Sequence, residues 1–122
     1  MTKDILIVED EPHAVVPIQF LMEQQGYRVM VAERGEAALD LIGQYKPDLV
    51  LLDIILLGVS GFEVCEIVRL NPEYRNIKII FLTALGREEQ IAKGLSLGAD
   101  AYITKPYSND ELVAMVKEVL EE

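Results

Sequence analysis

The sequence has 122 residues, of which 51% are apolar, which is enough for one domain with a substantial core and too few for two. Twenty-one acidic residues against eleven basic ones give a formal net charge of −10, which argues against direct binding to nucleic acid or to anionic membranes. Neither a signal peptide nor an apolar run long enough to span a membrane is recognisable, so we expect a cytoplasmic chain.

Short apolar runs alternate with stretches of helical periodicity along the whole chain. In chain order we predict strand 1 at residues 5–8, helix 1 from about 12 to 25, strand 2 at 27–31, helix 2 at 35–45, strand 3 at 49–52, helix 3 at 62–70, strand 4 at 77–82, helix 4 up to 97, strand 5 at 101–104 and helix 5 from 108 onward.

Local signals mark the ends and the faces of these helices. Gly26 and Gly98 indicate where helices 1 and 4 end, because glycine is favoured just after a helix. Pro17 removes a backbone donor inside helix 1, so we expect either a distortion or a late start there. Ile91 and Leu95 carry the apolar pattern of helix 4.

Five strands that alternate with five helices predict βα units, a parallel sheet and right-handed crossovers. The α/β fold that fits is the flavodoxin-like doubly wound (βα)5 domain, with a five-stranded parallel sheet in the order 2-1-3-4-5. In that order strand 2, which contains Arg28, lies at an edge. We expect residues 1–122 to form this single domain, with Tyr45 on the core face of helix 2 and Cys65 as a small buried residue.

Polar side chains follow four of the predicted strands at the point where each strand ends. Glu9 and Asp10 follow strand 1, Asp53 follows strand 3, Thr83 follows strand 4 and Lys105 follows strand 5. Strands 1 and 3 are neighbours, so their carboxylates meet at the carboxyl edge of the sheet, where open α/β folds bind ligands. Clustered carboxylates repel one another unless a cation lies among them, and oxygen ligands favour Mg²⁺ or Mn²⁺. The hydroxyl of Thr83 and the ammonium group of Lys105 could then bind the oxygens of a phosphoryl group held by the metal.

The same residues fall in motifs that are similar to those of one family over nearly the whole chain. The motifs are IVEDEP at 7–12, LLD at 51–53, GFE at 61–63, LTA at 82–84 and GADAYITKP at 98–106. By these motifs the chain resembles the receiver domain of two-component response regulators, in the CheY-like superfamily. The resemblance implies a phosphorylation-dependent switch in two-component signal transduction or in a phosphorelay.

The resemblance also implies a phosphoacceptor and a metal site. Asp53 would accept a phosphoryl group from a phosphohistidine on a sensor histidine kinase or a histidine phosphotransfer protein. Asp10, Asp53 and the backbone carbonyl of Ile55 would ligate Mg²⁺ or Mn²⁺, with Glu9 helping directly or through water. The chain would catalyse its own phosphorylation and slow dephosphorylation without being a conventional turnover enzyme.

Further residues take binding and switching roles by the same resemblance. Thr83 and Lys105 would bind oxygens of the phosphoryl group, and the peptide bond between Lys105 and Pro106 would be cis. Tyr102 occupies the family's switch position, and its ring is expected to turn inward as Thr83 moves toward the phosphoryl group. This would change the surface of helix 4, strand 5 and helix 5, which would control an output domain or effector protein that the sequence does not identify.

Several apolar residues set this chain apart from the family pattern. Leu57 stands where the family usually has proline, so we expect a less stiff loop with its chemistry intact. Ile55 and Leu85 flank the path of attacking water and cannot orient it, so we expect slow loss of the phosphoryl group. Ala101 and Met115 replace an aspartate and an arginine that pair across dimers of winged-helix transcription factors. They argue against that dimer and leave another phosphorylation-dependent dimer open.

Three other functions are kept as alternatives. A phosphohydrolase with an aspartate nucleophile typically has a second acid two residues after the nucleophile, where this chain has Ile55. A nucleotide- or flavin-binding domain needs a G-x-G-x-x-G loop after strand 1, where this chain has acids at 9–11. A degenerate receiver, which would signal without phosphorylation, disagrees with the complete set of site residues.

Overall fold

The computed structural model describes residues 2–122, and Met1, the first residue of the predicted domain, lies outside that range. The elements are β1 (Asp4–Val8), α1 (Pro12–Gln24), β2 (Arg28–Ala32), α2 (Gly35–Tyr45), β3 (Leu49–Leu52), α3 (Gly61–Leu70), a 3₁₀ helix (Pro72–Tyr74) that was not predicted, β4 (Lys78–Thr83), α4 (Glu88–Ser96), β5 (Ala101–Thr104) and α5 (Asn109–Val119). The five strands are parallel and follow the order β2-β1-β3-β4-β5. The predicted flavodoxin-like doubly wound fold is therefore confirmed.

The central strand β3 shows how the sheet forms a core on each face. Successive side chains of a strand point to opposite faces. Leu49 and Leu51 therefore pack with residues of α1 and α5, whereas Val50 and Leu52 pack with residues of α2 and α3. All four side chains are almost completely buried, which explains why the strand is apolar throughout rather than alternating. The strand that leads to Asp53 is thus held rigidly from both sides.

Some local predictions were wrong. α1 begins where predicted and continues through Pro17, so the late start is wrong, while a distortion of the helix at this proline stays a prediction. Tyr45 is 52% exposed rather than in the core, and its hydroxyl accepts a hydrogen bond from the Gln44 side chain at 3.3 Å. β2 begins at Arg28, one residue later than predicted, and the buried Tyr27 precedes it.

The buried position predicted for Cys65 is confirmed. The thiol lies inside α3 at 0% exposure, and its sulfur donates a hydrogen bond to the carbonyl of Leu97 at 3.7 Å. Burial raises the pKa of Cys65 to about 11, so the group remains a thiol at neutral pH. Among residues 2–122, no helix is both long enough and apolar enough to cross a membrane.

Candidate functional site

The register of the sheet brings the predicted site residues to one edge. β1 and β3 are paired up to their last residues, and the amide of Asp53 donates to the carbonyl of Val8 at 3.1 Å, which places Asp53 beside Glu9. β4 and β5 are paired in the same way, and the amide of Lys105 donates to the carbonyl of Thr83 at 2.8 Å. Because parallel strands end at the same edge, these side chains lie together at the carboxyl edge of the sheet.

Lys105 places a positive charge beside two of the clustered carboxylates. Its Nζ lies 2.8 Å from Glu9 Oε1 and 3.5 Å from Asp53 Oδ2. Asp10 is half-buried at the same edge and is not part of this ion pair. The peptide bond between Lys105 and Pro106 is cis. The ammonium group of Lys105 thus lies close to carboxylates from two neighbouring strands.

Glu9 is a buried carboxylate whose oxygen atoms are both hydrogen-bonded. It is 5% exposed, Oε1 accepts from Lys105, and Oε2 accepts from the amide of Glu11 at 3.2 Å. Burial raises the pKa of Glu9, and the bond to Lys105 offsets this only in part because the charge of Asp53 raises it further. Burial alone would lower the pKa of Lys105, but its bonds to the two carboxylates outweigh this and raise it. The lysine therefore stays charged.

The donor set of this edge fits a magnesium ion. Within residues 2–122, no group of three or more acidic, histidine or cysteine side chains is gathered as a metal site. Mg²⁺ in proteins, however, commonly takes only one or two carboxylates and keeps several of its waters. Glu9 and Asp53 offer carboxylate oxygens on neighbouring strands, and their shared contact with Lys105 marks the place that attracts positive charge.

Thr83 and Ile55 border the carboxylates on either side. Thr83 is fully buried at the end of β4, and its Oγ1 accepts a hydrogen bond from the amide of Leu85 at 3.4 Å. The amide of Ile55 donates to Asp53 Oδ1 at 3.2 Å, while the Ile55 side chain is 59% exposed. The backbone after β3 therefore holds one oxygen of Asp53 and leaves the other facing Lys105.

Tyr102 links β5 to the connection between β4 and α4. Its hydroxyl donates a hydrogen bond to the carbonyl of Leu85, and its ring lies 5.8 Å from that of Phe81. α4 covers these rings at Gly94, where an added Cβ would come within 3.0 Å of a ring carbon of each. Burial, and then the charge of Asp53, raise the pKa of Tyr102. The partly buried ring thus packs against β4 and α4, and its hydroxyl bonds to the loop that also contacts Thr83.

The sequence did not predict two polar contacts, one at the amino edge of the sheet and one in the connection after Asp53. Arg69 of α3 donates to the carbonyl of Gly98 at 2.8 Å and to the carboxylate of Asp100 at 3.0 Å, which fixes the turn into β5. Glu36 of α2 accepts from the amide of Val59 at 3.1 Å, in the connection that follows Asp53. Asp100 could have been singled out because it lies in the motif at 98–106, but no sequence signal identified its partner.

The chain matches known proteins over almost its full length. A family model for the response regulator receiver domain matches residues 5–117. The phosphate regulon transcriptional regulatory protein PhoB of Rhizobium meliloti (strain 1021) is 42% identical over 120 residues, which cover 98% of this chain and 53% of that protein. The chain thus spans about half the length of the curated relatives it matches.

Solved structures give the same result. The BeF3-activated N-terminal receiver domain of Klebsiella pneumoniae RstA is 33% identical with a TM-score of 0.91, covering 98% of this chain and 99% of that one. The receiver domain of the sensor histidine kinase PA1611 from Pseudomonas aeruginosa PAO1, with a magnesium ion coordinated in its active site cleft, is 26% identical with a TM-score of 0.90 and full coverage of both chains. By its sequence, its fold and its carboxyl-edge residues, the chain belongs to the response regulator receiver domain family.

Proposed function

We propose that this receiver domain, residues 1–122, is a phosphorylation-dependent switch whose phosphoacceptor is Asp53. The observation that carries the proposal is the environment of the Asp53 carboxylate. Asp53 Oδ1 accepts a hydrogen bond from the Ile55 amide at 3.2 Å, and Asp53 Oδ2 lies 3.5 Å from the ammonium group of Lys105. A carboxylate held in this way is fixed in orientation and presents Oδ2 as a nucleophile next to a fixed positive charge.

In the proposed reaction an oxygen of Asp53 attacks the phosphorus of a phosphohistidine on a sensor histidine kinase or phosphotransfer protein. The P–N bond breaks, an acyl phosphate forms, and the released imidazole takes a proton from water. Asp10, Asp53 and the carbonyl of Ile55, with Glu9, would hold Mg²⁺, which would neutralise charge on the phosphoryl oxygens. Lys105 would contact the same oxygens. The magnesium ion in the receiver of the Pseudomonas aeruginosa kinase supports this assignment.

Leu85 provides the proposed connection between the site and the surface. Its amide donates to Thr83 Oγ1, and its carbonyl accepts from the hydroxyl of Tyr102. If the Thr83 hydroxyl turns to a phosphoryl oxygen, the Leu85 amide loses its acceptor and the loop that holds Tyr102 is released. The outer face of α4, β5 and α5 would then change, as a switch to an output requires.

The output of the switch is proposed to lie outside residues 1–122, in another domain or in an effector protein. The PhoB relatives are named transcriptional regulatory proteins, and this chain spans about half their length. The net charge of −10 makes direct nucleic-acid binding by these residues unfavourable. A cytoplasmic location belongs to the same proposal, because a phosphohistidine donor is made from ATP.

Incubation with acetyl phosphate and Mg²⁺, followed by intact mass measurement, tests the phosphoacceptor. The wild-type chain is expected to gain one phosphoryl group, and an Asp53→Asn chain is expected to gain none because its amide is not a nucleophile. Equal labelling of both chains would contradict the proposal. Steady turnover of small phosphate esters would contradict it in favour of a phosphohydrolase.

The phosphoryl group is expected to persist for many minutes after the donor is removed. Ile55 and Leu85 both stand beside the site and neither side chain can hydrogen-bond an attacking water. An Ile55→Asn chain should lose the group several-fold faster, because an amide can position water, whereas Leu57→Asn on the same connection should behave as wild type. A wild-type half-life of a few seconds would contradict this expectation.

A further inference from the structure

The connection between β3 and α3, residues 53–60, carries Asp53 and is closed at its base. The amide of Gly61 donates to the carbonyl of Ile54 at 2.9 Å, and Gly61 packs so closely on the Asp53 carbonyl that no Cβ would fit. Beyond this base the connection turns outward, and the side chain of Leu57 is largely exposed. Leucine restricts its own φ far less than proline does, so Leu57 adds little stiffness.

The first turn of α2 touches this connection at three points. Glu36 Oε1 accepts a hydrogen bond from the amide of Val59 at 3.1 Å. An added Cβ on Gly35 would lie 2.5 Å from the carbonyl oxygen of Val59, so the two backbones are in direct contact. Gly58 has a φ of +77° and packs on the Glu36 carboxylate, where no other residue would fit without displacing it. The connection is therefore shaped to meet Glu36.

The Glu36 carboxylate is suited to act as a permanent acceptor. It lies in the first turn of α2, where exposed backbone N–H groups favour negative charge, and 3.6 Å from Arg34 Nε. The bond from its own backbone amide, and then that from Val59, lower the pKa of Glu36. A charged acceptor makes a stronger hydrogen bond than a neutral one.

We propose that Glu36 is a positioning residue for the phosphoryl chemistry of Asp53, an inference that rests on the proposed function. By holding Val59 against α2, its carboxylate fixes the connection on which Ile55 lies. The Ile55 amide then stays on Asp53 Oδ1, and the Ile55 carbonyl stays at the carboxyl edge, where a metal ligand is needed. Leu57 does not stiffen the connection from within. The contact with Glu36 of α2 restrains it from outside instead.

The test compares three substitutions in the full chain. Glu36→Ala removes the acceptor, and Glu36→Gln keeps an acceptor oxygen without the charge. Glu33→Ala is the control, because it removes one negative charge from the exposed segment between β2 and α2. Hydrogen exchange of the amides at 55–59 should be faster than in wild type in Glu36→Ala, faster to a smaller extent in Glu36→Gln, and unchanged in Glu33→Ala. Phosphorylation by acetyl phosphate at limiting Mg²⁺ should be slower in Glu36→Ala by roughly fivefold, as expected for one lost hydrogen bond, and slower in Glu36→Gln by about twofold.

A fourth substitution separates the effect of positioning from the effect of charge. Leu57→Pro should restore phosphorylation of the Glu36→Ala chain toward the wild-type rate, because a fixed φ stiffens the connection without returning the carboxylate. If Glu36→Ala and Glu33→Ala had equal hydrogen exchange at 55–59 and equal phosphorylation rates, the inference would be overturned and the proposed function would remain intact. Faster hydrogen exchange in Glu36→Ala with an unchanged phosphorylation rate would also overturn the inference. A wild-type chain that takes up no phosphoryl group would instead sink the proposed function, and the inference with it.

Discussion

Replacing Lys105 with methionine is expected to lower the free energy of unfolding at neutral pH by about 2 kcal/mol, because Glu9 would keep a buried charge without its cation. The loss should be smaller than for a fully buried pair, since the Lys105 side chain is 27% exposed and Glu9 retains the Glu11 amide on its other oxygen. Methionine keeps most of the length of the side chain, so the change isolates the charge.

The cost of this substitution should depend on pH in a defined direction. Burial already raises the pKa of Glu9, and removal of Lys105 removes the contact that lowers it, so the pKa rises further. A group with a raised pKa in the folded state contributes stability that is complete when it is protonated and is lost as the pH rises through that pKa. The deficit of the variant should therefore shrink as the pH falls from neutrality into the acidic range.

Urea unfolding of the wild-type and Lys105→Met chains, at neutral and at acidic pH, measures this effect. Lys117→Met, which removes a charge from an exposed position of α5, serves as the control and should match wild type. If Lys105→Met and wild type had the same midpoint at neutral pH, the ion pair would contribute nothing to folding. A deficit that grew on acidification would contradict the role assigned to Glu9.

Phe81→Ala is expected to lower the free energy of unfolding by about 3–5 kcal/mol, which is a larger loss than that expected for Lys105→Met. The side chain is fully buried in β4, and its ring packs 5.5 Å from that of Phe62 and 5.8 Å from that of Tyr102. Removal of the ring leaves a cavity beneath Gly94 and also removes edge contacts between aromatic rings. The rigid strands around the cavity can close it only in part.

The matched control for this change is Phe20→Ala. Phe20 lies on α1 and is 62% exposed, so its truncation should change the free energy of unfolding by no more than about 0.5 kcal/mol. Denaturant unfolding with an unchanged slope compares the two directly. A Phe81→Ala chain as stable as Phe20→Ala would show that the core between β4 and α4 is not tightly packed.

The strands and the site edge were predictable because burial on both faces leaves a simple pattern. A strand covered on both sides must be apolar at each position, so β3 could be delimited from its residues, and the polar residue that follows it had to lie at an edge. The same reasoning placed Thr83 and Lys105 correctly in the fold, although their roles in phosphoryl binding remain predictions.

The packing of α4 could not be predicted in this way. Apolar periodicity singled out Ile91 and Leu95, yet Leu95 is 46% exposed and the one buried residue of the helix is Gly94. Apolar periodicity identifies large apolar side chains, whereas α4 packs most closely at Gly94, which has no side chain. The pattern therefore identified the helix but not the surface by which it packs on Phe81 and Tyr102.

The pairing of charged groups at the site was also beyond the sequence. The sequence supplied three acids and one lysine at the edge, but it could not show that Lys105 would contact Glu9 more closely than Asp53. Glu36 was missed because its partner is a backbone amide 23 residues away. Such contacts depend on how two connections meet in space, which no local pattern records.

The buried thiol of Cys65 makes this protein suitable for single-site labelling. It is the only cysteine of the chain, and its side chain is fully buried, so reagents such as maleimides have no access to the sulfur. A cysteine introduced at an exposed position of α4, such as Ala92→Cys, would therefore carry a spin or fluorescent label alone. The motion of that helix during signalling could then be recorded without first removing a native cysteine.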